Sequence, residues 1–225
     1  MNFTYYGHAC FSVETAKHTL LFDPFISGNP QAKHIDLQSL KADFVMVSHG
    51  HQDHLLDAVA IANRTGATII APYEVAVWLG KQSARKTHPI NHGSTLFEFG
   101  RLRFVNAIHS SSLPDGSYGG NPGGFVVETA EGNFYYSGDT ALTMDMELIG
   151  AGAPLTFAAL CIGGNFTMDA GDALVAAEMV GCNQVVGVHY DTFPPIKIDH
   201  QQAVRRFEEA GKKLHLLKIG ESLKF

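Results

Sequence analysis

The chain reads as one α/β domain, and three observations carry that reading. Short β-rich runs open it, strands and helical stretches then alternate in two blocks, and the composition supports a full hydrophobic core. The 225 residues are 45% hydrophobic and only 17% charged, and a chain of this length buries about 70% of its extended surface on folding. No linker divides the sequence, and no period of roughly 20 to 50 residues repeats. Residues 1–225 are therefore expected to form a single domain.

Asn2–Tyr6, Phe11–Glu14 and Thr19–Phe22 have the β-branched and aromatic content of strands. Phe44–Ser48 is a continuous apolar run of the buried-strand type. In Asp53–Arg64, Leu55, Leu56, Val59 and Ala62 recur at helical spacing and Gly66 supplies a stop. Ala67–Ala71 is the next strand, and Pro72 suits the first turn of a helix running to about Gln82. Leu96–Phe99 and Leu102–Ile108 read as paired strands around Gly100–Arg101, and Gly124–Glu128 with Asn133–Tyr136 as a hairpin around Glu131–Gly132. Alternation then returns: strand Thr156–Cys161, helix Asp169–Val180, strand Gln184–Val188, helix Asp199–Ala210, and strands near Leu214–Lys218 and Leu223–Phe225. Asp199 with Gln202 resembles a capping box with Asp in the Ser/Thr place. Between the blocks, Ser110–Gly124 holds four Ser, five Gly and two Pro. A segment of that length and flexibility is either disordered or a lid, and the candidate site beside it favours a lid.

The charge balance, 16 Lys+Arg against 22 Asp+Glu for a net −6, opposes nucleic-acid or anionic-membrane binding, which need a basic footprint. The longest apolar run, Phe157–Ile162, is far short of the roughly 20 residues of a membrane helix. MNFTYYGHACF has neither the basic nor the apolar region of a signal peptide. Cys10, Cys161 and Cys182 are odd in number and widely spaced, which fits a reducing compartment and buried, inert thiols. A cytoplasmic location is expected. The sequence leaves the oligomeric state open, a homo-oligomer included. One excess remains: 12 histidines.

Several of them fall where strands end. Phe44–Ser48 is followed by His49, Leu102–Ile108 by His109, and Gln184–Val188 by His189, while Asn133–Tyr136 leads through Ser137–Gly138 to Asp139. Open α/β sheets hold ligands beyond the carboxyl ends of their strands. The strongest local signal is His49-Gly50-His51-Gln52-Asp53-His54, an HxHxDH pattern that chance would place in such a chain with a probability of about 0.002. A turn leaving the strand aims His49 and His51 at one ion, and the start of the next helix aims Asp53 and His54 at a second. The competing reading makes Asp53 a helix cap and His54 a surface residue of the first turn.

HxHxDH, a lone strand-end His, SGD and a final strand-end His, in that order over essentially the whole chain, resemble the metallo-β-lactamase superfamily. GHACF, LLFDPFISGNP, VSHGHQDH, YSGDT, CIGGNFTMD and HYDTFP are similar to its branch of uncharacterised metal-dependent hydrolases related to ascorbate phosphate lactonase. The resemblance implies an αββα four-layer sandwich with a dinuclear site at one edge of its two sheets. It implies one metal on His49, His51 and His109, a second on Asp53, His54 and His189, and Asp139 as the bridge. Imidazoles and carboxylates suit Zn²⁺ first, and also Mn²⁺, Fe²⁺ or Ni²⁺. Two such ions share a hydroxide whose parent water has its pKa lowered to about 7. Against Asp53, Asp139 and that hydroxide, the two ions leave a local charge of about +1, which favours an anionic or polarised electrophile. The expected activity is hydrolysis of an ester, lactone or amide of a small polar metabolite, with Asp53 also orienting the hydroxide. Phosphodiester hydrolysis is the main rival, and a non-catalytic scaffold would be marked by missing ligands. His51 in place of Glu argues against the flavo-diiron branch.

Other positions carry weaker signals. His8 either contacts substrate, supports the ligands, or is a hydrogen-bonded structural histidine. Asp23, in FDPF, matches the superfamily's first acidic motif and is expected to support the ligand loops through hydrogen bonds. Asn165, Thr167 and Met168 after Gly163–Gly164, and Tyr190, Thr192 and Phe193 after His189, are candidates to line the pocket, with Asn165 and Thr192 foremost. Thr167 or Asp169 alternatively caps the following helix. His18, His34, His88, His92, His200 and His215 lack a converging partner in any motif and are expected in turns or on the surface. Trp78 reads as core or interface.

Overall fold

A computed structural model describes all residues, 1–225, and divides them into two compact units. Unit 1 comprises Met1–Gly93, Ser110–Pro122 and Lys218–Phe225; unit 2 comprises Ser94–His109 and Gly123–Leu217. Each is built on a seven-stranded sheet.

The first sheet contains β1 (Asn2–Gly7), β2 (Cys10–Glu14), β3 (Thr19–Phe22), β4 (Phe44–Met46), β5 (Thr68–Pro72), β6 (Thr87–Ile90) and β14 (Ser222–Lys224), in the order β14-β1-β2-β3-β4-β5-β6. The strands from β14 to β3 pair antiparallel, whereas β3 to β6 run parallel. Phe3, Phe11 and Phe22 stack across β1, β2 and β3 with successive ring centroids 4.6 Å apart, an aromatic ladder that helps set the register. Val45, Val47, Ile69 and Ala71 pack with Ala58, Ile61 and Ala62 of α2 (Ala58–Thr65) and with Val75, Ala76 and Leu79 of α3 (Tyr73–Lys81) in one buried cluster. Gly66 ends α2 in a left-handed cap at φ 79°, a conformation in which a side chain is strained.

The second sheet contains β7 (Gly93–Phe97), β8 (Gly100–Asn106), β9 (Gly123–Thr129), β10 (Gly132–Tyr136), β11 (Phe157–Cys161), β12 (Gln184–Val188) and β13 (Lys213–His215), in the order β13-β12-β11-β10-β9-β8-β7. Strands β8, β9 and β10 pair antiparallel, and β10 to β13 run parallel. The helices of this unit are α4 (Asp145–Gly150), α5 (Ala170–Met179) and α6 (His200–Glu209). Asp169 caps α5 by accepting from the amides of Gly171 and Asp172, and Asp199 caps α6 by accepting from Gln202. Asp169, not Thr167, is therefore the cap of α5.

The departures from the sequence reading have local causes. The helix expected over Asp53–Arg64 is two helices, α1 (Gln52–Leu55) and α2, parted at Leu56–Asp57. Asp57 interrupts the helix because its carboxylate accepts from the amides of Ile26 and Ser27 and from the Ser27 hydroxyl, while its own amide bonds Pro24 O. Apolar periodicity runs through such a break unseen. Strand β6 contains Pro89 and pairs with β5 as the last strand in the order, where a missing amide is tolerated. The turn between β7 and β8 falls at Glu98–Phe99 instead of Gly100–Arg101. The short α4 lacks a polar cap, and so had no start signal. Strand β9 begins at Gly123, one residue before the expected start at Gly124.

Of the segment expected as a lid, Ser110–Pro122 belongs to unit 1 and is hydrogen-bonded there. The amide of Leu113 donates to Ser117 O and that of Gly119 to Ser111 O, both at 2.8 Å. The Ser111 hydroxyl accepts from the Gly50 amide at 3.0 Å and donates to Gly119 O. Asp115 accepts from Trp78 Nε1 at 2.7 Å.

Candidate metal centre

In unit 1 the ladder hydrogen bonds stop where the candidate ligands begin. Val47 still bonds across to Ile70 O, but the next amide, Ser48, turns to Asp23 Oδ1 at 2.7 Å. Asp23 follows β3, is fully buried, and adopts φ 39°. Its Oδ2 accepts from the Ser48 hydroxyl at 2.6 Å and lies 2.8 Å from His54 Nδ1. That contact fixes the His54 ring and leaves Nε2 as its coordinating edge, the arrangement by which a carboxylate orients a metal-binding imidazole. The Ser48 hydroxyl also lies 3.0 Å from His49 Nδ1, and His49 Nε2 is 2.9 Å from His51 Nδ1. His51 Nε2 is 3.3 Å from the Ser110 hydroxyl. Asp53, in α1, lies with Oδ2 3.1 Å from His8 Nε2 and 4.0 Å from His54 Nε2.

Unit 2 gathers its own set at the ends of β8, β10 and β12. The amide of Ile108 leaves the ladder for Thr140 Oγ1 at 2.9 Å, which carries the chain from β8 into His109. Asp139 Oδ2 stands 2.9 Å from His189 Nε2 and 3.6 Å from His109 Nε2. His189 is held at φ 57°, and Gly163 gives its carbonyl room, since a Cβ there would collide with His189 O.

The donor chemistry fits divalent ions. Ligands 2.0–2.1 Å from tetrahedral zinc lie about 3.3 Å apart, and the nitrogen–nitrogen and nitrogen–oxygen spacings of 2.9 and 3.6 Å bracket that value. The thiols contribute nothing to it. Burial, then the Asp139 charge, pushes Cys161 up to about 11, and burial, then the Asp23 and Asp57 charges, raises Cys10. Both stay protonated at neutral pH, whereas metal-binding cysteine is a thiolate.

Residues 18–190 match the family described as the β-lactamase superfamily domain. The chain belongs to the metallo-β-lactamase superfamily. A metal-dependent hydrolase of Flavobacterium johnsoniae is 49% identical over 99% of both chains, and one of Thermus thermophilus is 43% identical over 98% of this chain and 97% of its own. A metallo hydrolase from the archaeon Ignicoccus hospitalis superposes with a TM-score of 0.88 at 32% identity, covering 100% of this chain and 98% of its own. An isothiocyanate hydrolase from Delia radicum gut bacteria shares the fold, with a TM-score of 0.80 at 18% identity over 100% and 99% of the two chains. The protein is a metal-dependent hydrolase of this superfamily fold.

The remaining candidates divide. Asn165 follows Gly164 at φ 56° on the loop after β11 and is exposed. Thr192 is buried and its hydroxyl donates to Tyr190 O at 3.4 Å. Met168 is fully buried and belongs to the core. Two of the histidines set aside have defined side-chain partners that sequence reading missed: His200 Nε2 is 2.6 Å from Asp191 Oδ2, and His215 Nε2 is 2.9 Å from Gln184 Oε1. Ser48, Ser110 and Tyr5, whose hydroxyl donates to His8 O, also went unseen, because a lone hydroxyl near a strand end has no spacing signature. No helix is long and apolar enough to cross a membrane.

Proposed function

We propose that this hydrolase cleaves an ester, lactone or amide bond of a small polar or anionic metabolite. Residues 1–225 act as one functional domain, in which His49, His51 and His109 hold one divalent ion, Asp53, His54 and His189 hold a second, and Asp139 is shared. Zinc is the preferred ion by donor type. The observation that carries the reading is Asp139, one of whose oxygens faces two imidazoles at 2.9 and 3.6 Å, as a shared ligand must.

When bound, the ions supply Lewis acidity toward a carbonyl or phosphoryl oxygen and a water with a pKa of about 7. Asp53 orients the attacking water. Asp23 and Ser48 hold His54 and His49 in place, so that neither ring must reorganise as charge develops. Two divalent ions outweigh the charges of Asp53 and Asp139, which favours an anionic substrate; the chain's net −6 disfavours a polyanion such as nucleic acid. Asn165 and Thr192 line the substrate side, on the loops after β11 and β12.

Metal analysis after chelator-free preparation and reconstitution is expected to find two equivalents; fewer than one overturns the reading. The zinc- and manganese-loaded enzyme is then screened against lactones, esters, amides and phosphodiesters. Turnover confined to phosphodiesters overturns the substrate class. Asp139→Ala is expected to abolish whatever activity the screen finds.

A further inference from the structure

We propose that His8 is a positioning residue for Asp53: a buried imidazole that donates through Nε2 to Asp53 Oδ2 and so sets the direction in which that carboxylate faces its ion. The inference rests on the metal reading above and adds a residue to it.

The chain reaches His8 by an irregular route. The register of β1 against β2 shifts between Tyr5 and Gly7, a bulge of the kind that re-aims a side chain. Gly7 and His8 then follow with φ of 99° and 55°. A left-handed conformation is natural for glycine and strained for histidine, and such strain persists only where the surroundings over-determine it. Here they do. The Tyr5 hydroxyl donates to His8 O at 3.0 Å in a buried contact. The ring of Phe25 meets the imidazole edge-on at 5.5 Å, and the ring of His54 does the same at 5.6 Å.

The burial of the two side chains differs in a telling way. That of His8 is 0% exposed and that of Asp53 is 32% exposed. The His8 side chain is therefore closed off from solvent, and its Nε2 meets the Asp53 carboxylate. The relation inverts the one at Asp23, where a buried carboxylate fixes the imidazole of His54; here a buried imidazole fixes a carboxylate. Supporting partners of this kind preset the ligand before the ion arrives.

The test uses the full chain, metal-free and reloaded. His8→Leu removes the donor, and His8→Gln returns an N–H close to the place of Nε2. Zinc affinity is read by competition with a chromogenic chelator, ligand geometry by the visible spectrum of the cobalt-loaded protein, and folding by thermal melting of the metal-free protein. His8→Leu is expected to weaken the affected site about 10–100-fold and to alter the cobalt bands, with His8→Gln restoring most of both. Should His8→Leu fail to fold, His8→Asn, whose amide is too short to reach Asp53, supplies the loss. Native zinc affinity and cobalt bands in the loss variant overturn the proposal, leaving His8 a structural residue. Equal loss in His8→Gln also overturns it, since the imidazole itself would then be a ligand. If the unaltered protein takes up no metal, the metal reading fails instead.

Discussion

Asp23 accepts a backbone amide, a hydroxyl and an imidazole N–H while fully buried. Asp23→Ala strands these donors, and each unsatisfied buried group costs about 1–3 kcal/mol. The metal-free protein is therefore expected to lose about 3 kcal/mol or more, read as a lower urea midpoint, and reloaded zinc to bind about 10–100-fold more weakly. The candidate ligands were legible because residue type and position after a strand are local properties. HxHxDH lies within six consecutive residues, and His109, Asp139 and His189 each follow an apolar run. Their supports were not legible in the same way. The His8–Asp53 contact spans 45 residues and the Asp23–Ser48 contact 25, and the hydroxyls that finish the network look like any others. Backbone strain was equally invisible. Of the six non-glycine residues with positive φ, His8, Asp23, Asn165, His189 and Asp191 sit on loops after β1, β3, β11 and β12, with Ser83 the exception.

At the scale of elements, most strands and helices were readable to within a residue or two, since apolar runs and caps report on their own neighbourhood. Asp199 accepts from the Gln202 amide at 3.0 Å as its capping pattern predicts. Asp199→Ala is expected to cost about 1 kcal/mol, measured by denaturant unfolding. The hydrogen bonds within Ser110–Pro122 were not legible, because composition records flexibility and not the bonds that restrain it. In hydrogen exchange, the amides of Leu113 and Gly119 are expected to be protected without any ligand, and exchange as fast as in an open chain would contradict the hydrogen-bonded loop. Trp78 is the only tryptophan, and it reports on that loop through Asp115. Hydrogen bonds from the Ser117 hydroxyl and amide, and then from Trp78, lower the Asp115 carboxyl to about 2. Because the folded value lies below the unfolded value of about 3.9, the contribution is complete above about pH 4 and is lost as pH falls through about 2. Tryptophan emission is expected to change across that window, and the step is expected to be missing in Asp115→Ala.

For the whole molecule, the α/β class followed from the alternation of elements, and it holds in both seven-stranded sheets. Their strand orders were out of reach of the sequence, because neighbours such as β14 and β1 come from opposite ends of the chain. An ion that binds the folded chain stabilises it by mass action, about 2.7 kcal/mol at a hundredfold excess over Kd. Zinc is accordingly expected to raise the melting temperature by about 5–10 °C, and a strong chelator to reverse the gain; a chelator-insensitive melt would contradict metal-linked folding. All three cysteines are buried and unpaired, and burial raises each thiol above its ordinary range. Since alkylation and disulfide exchange proceed through the thiolate, the folded chain is armoured against both. Ions can be stripped and exchanged in air, without reductants that would themselves compete for metal, and iodoacetamide becomes a clean probe of unfolding.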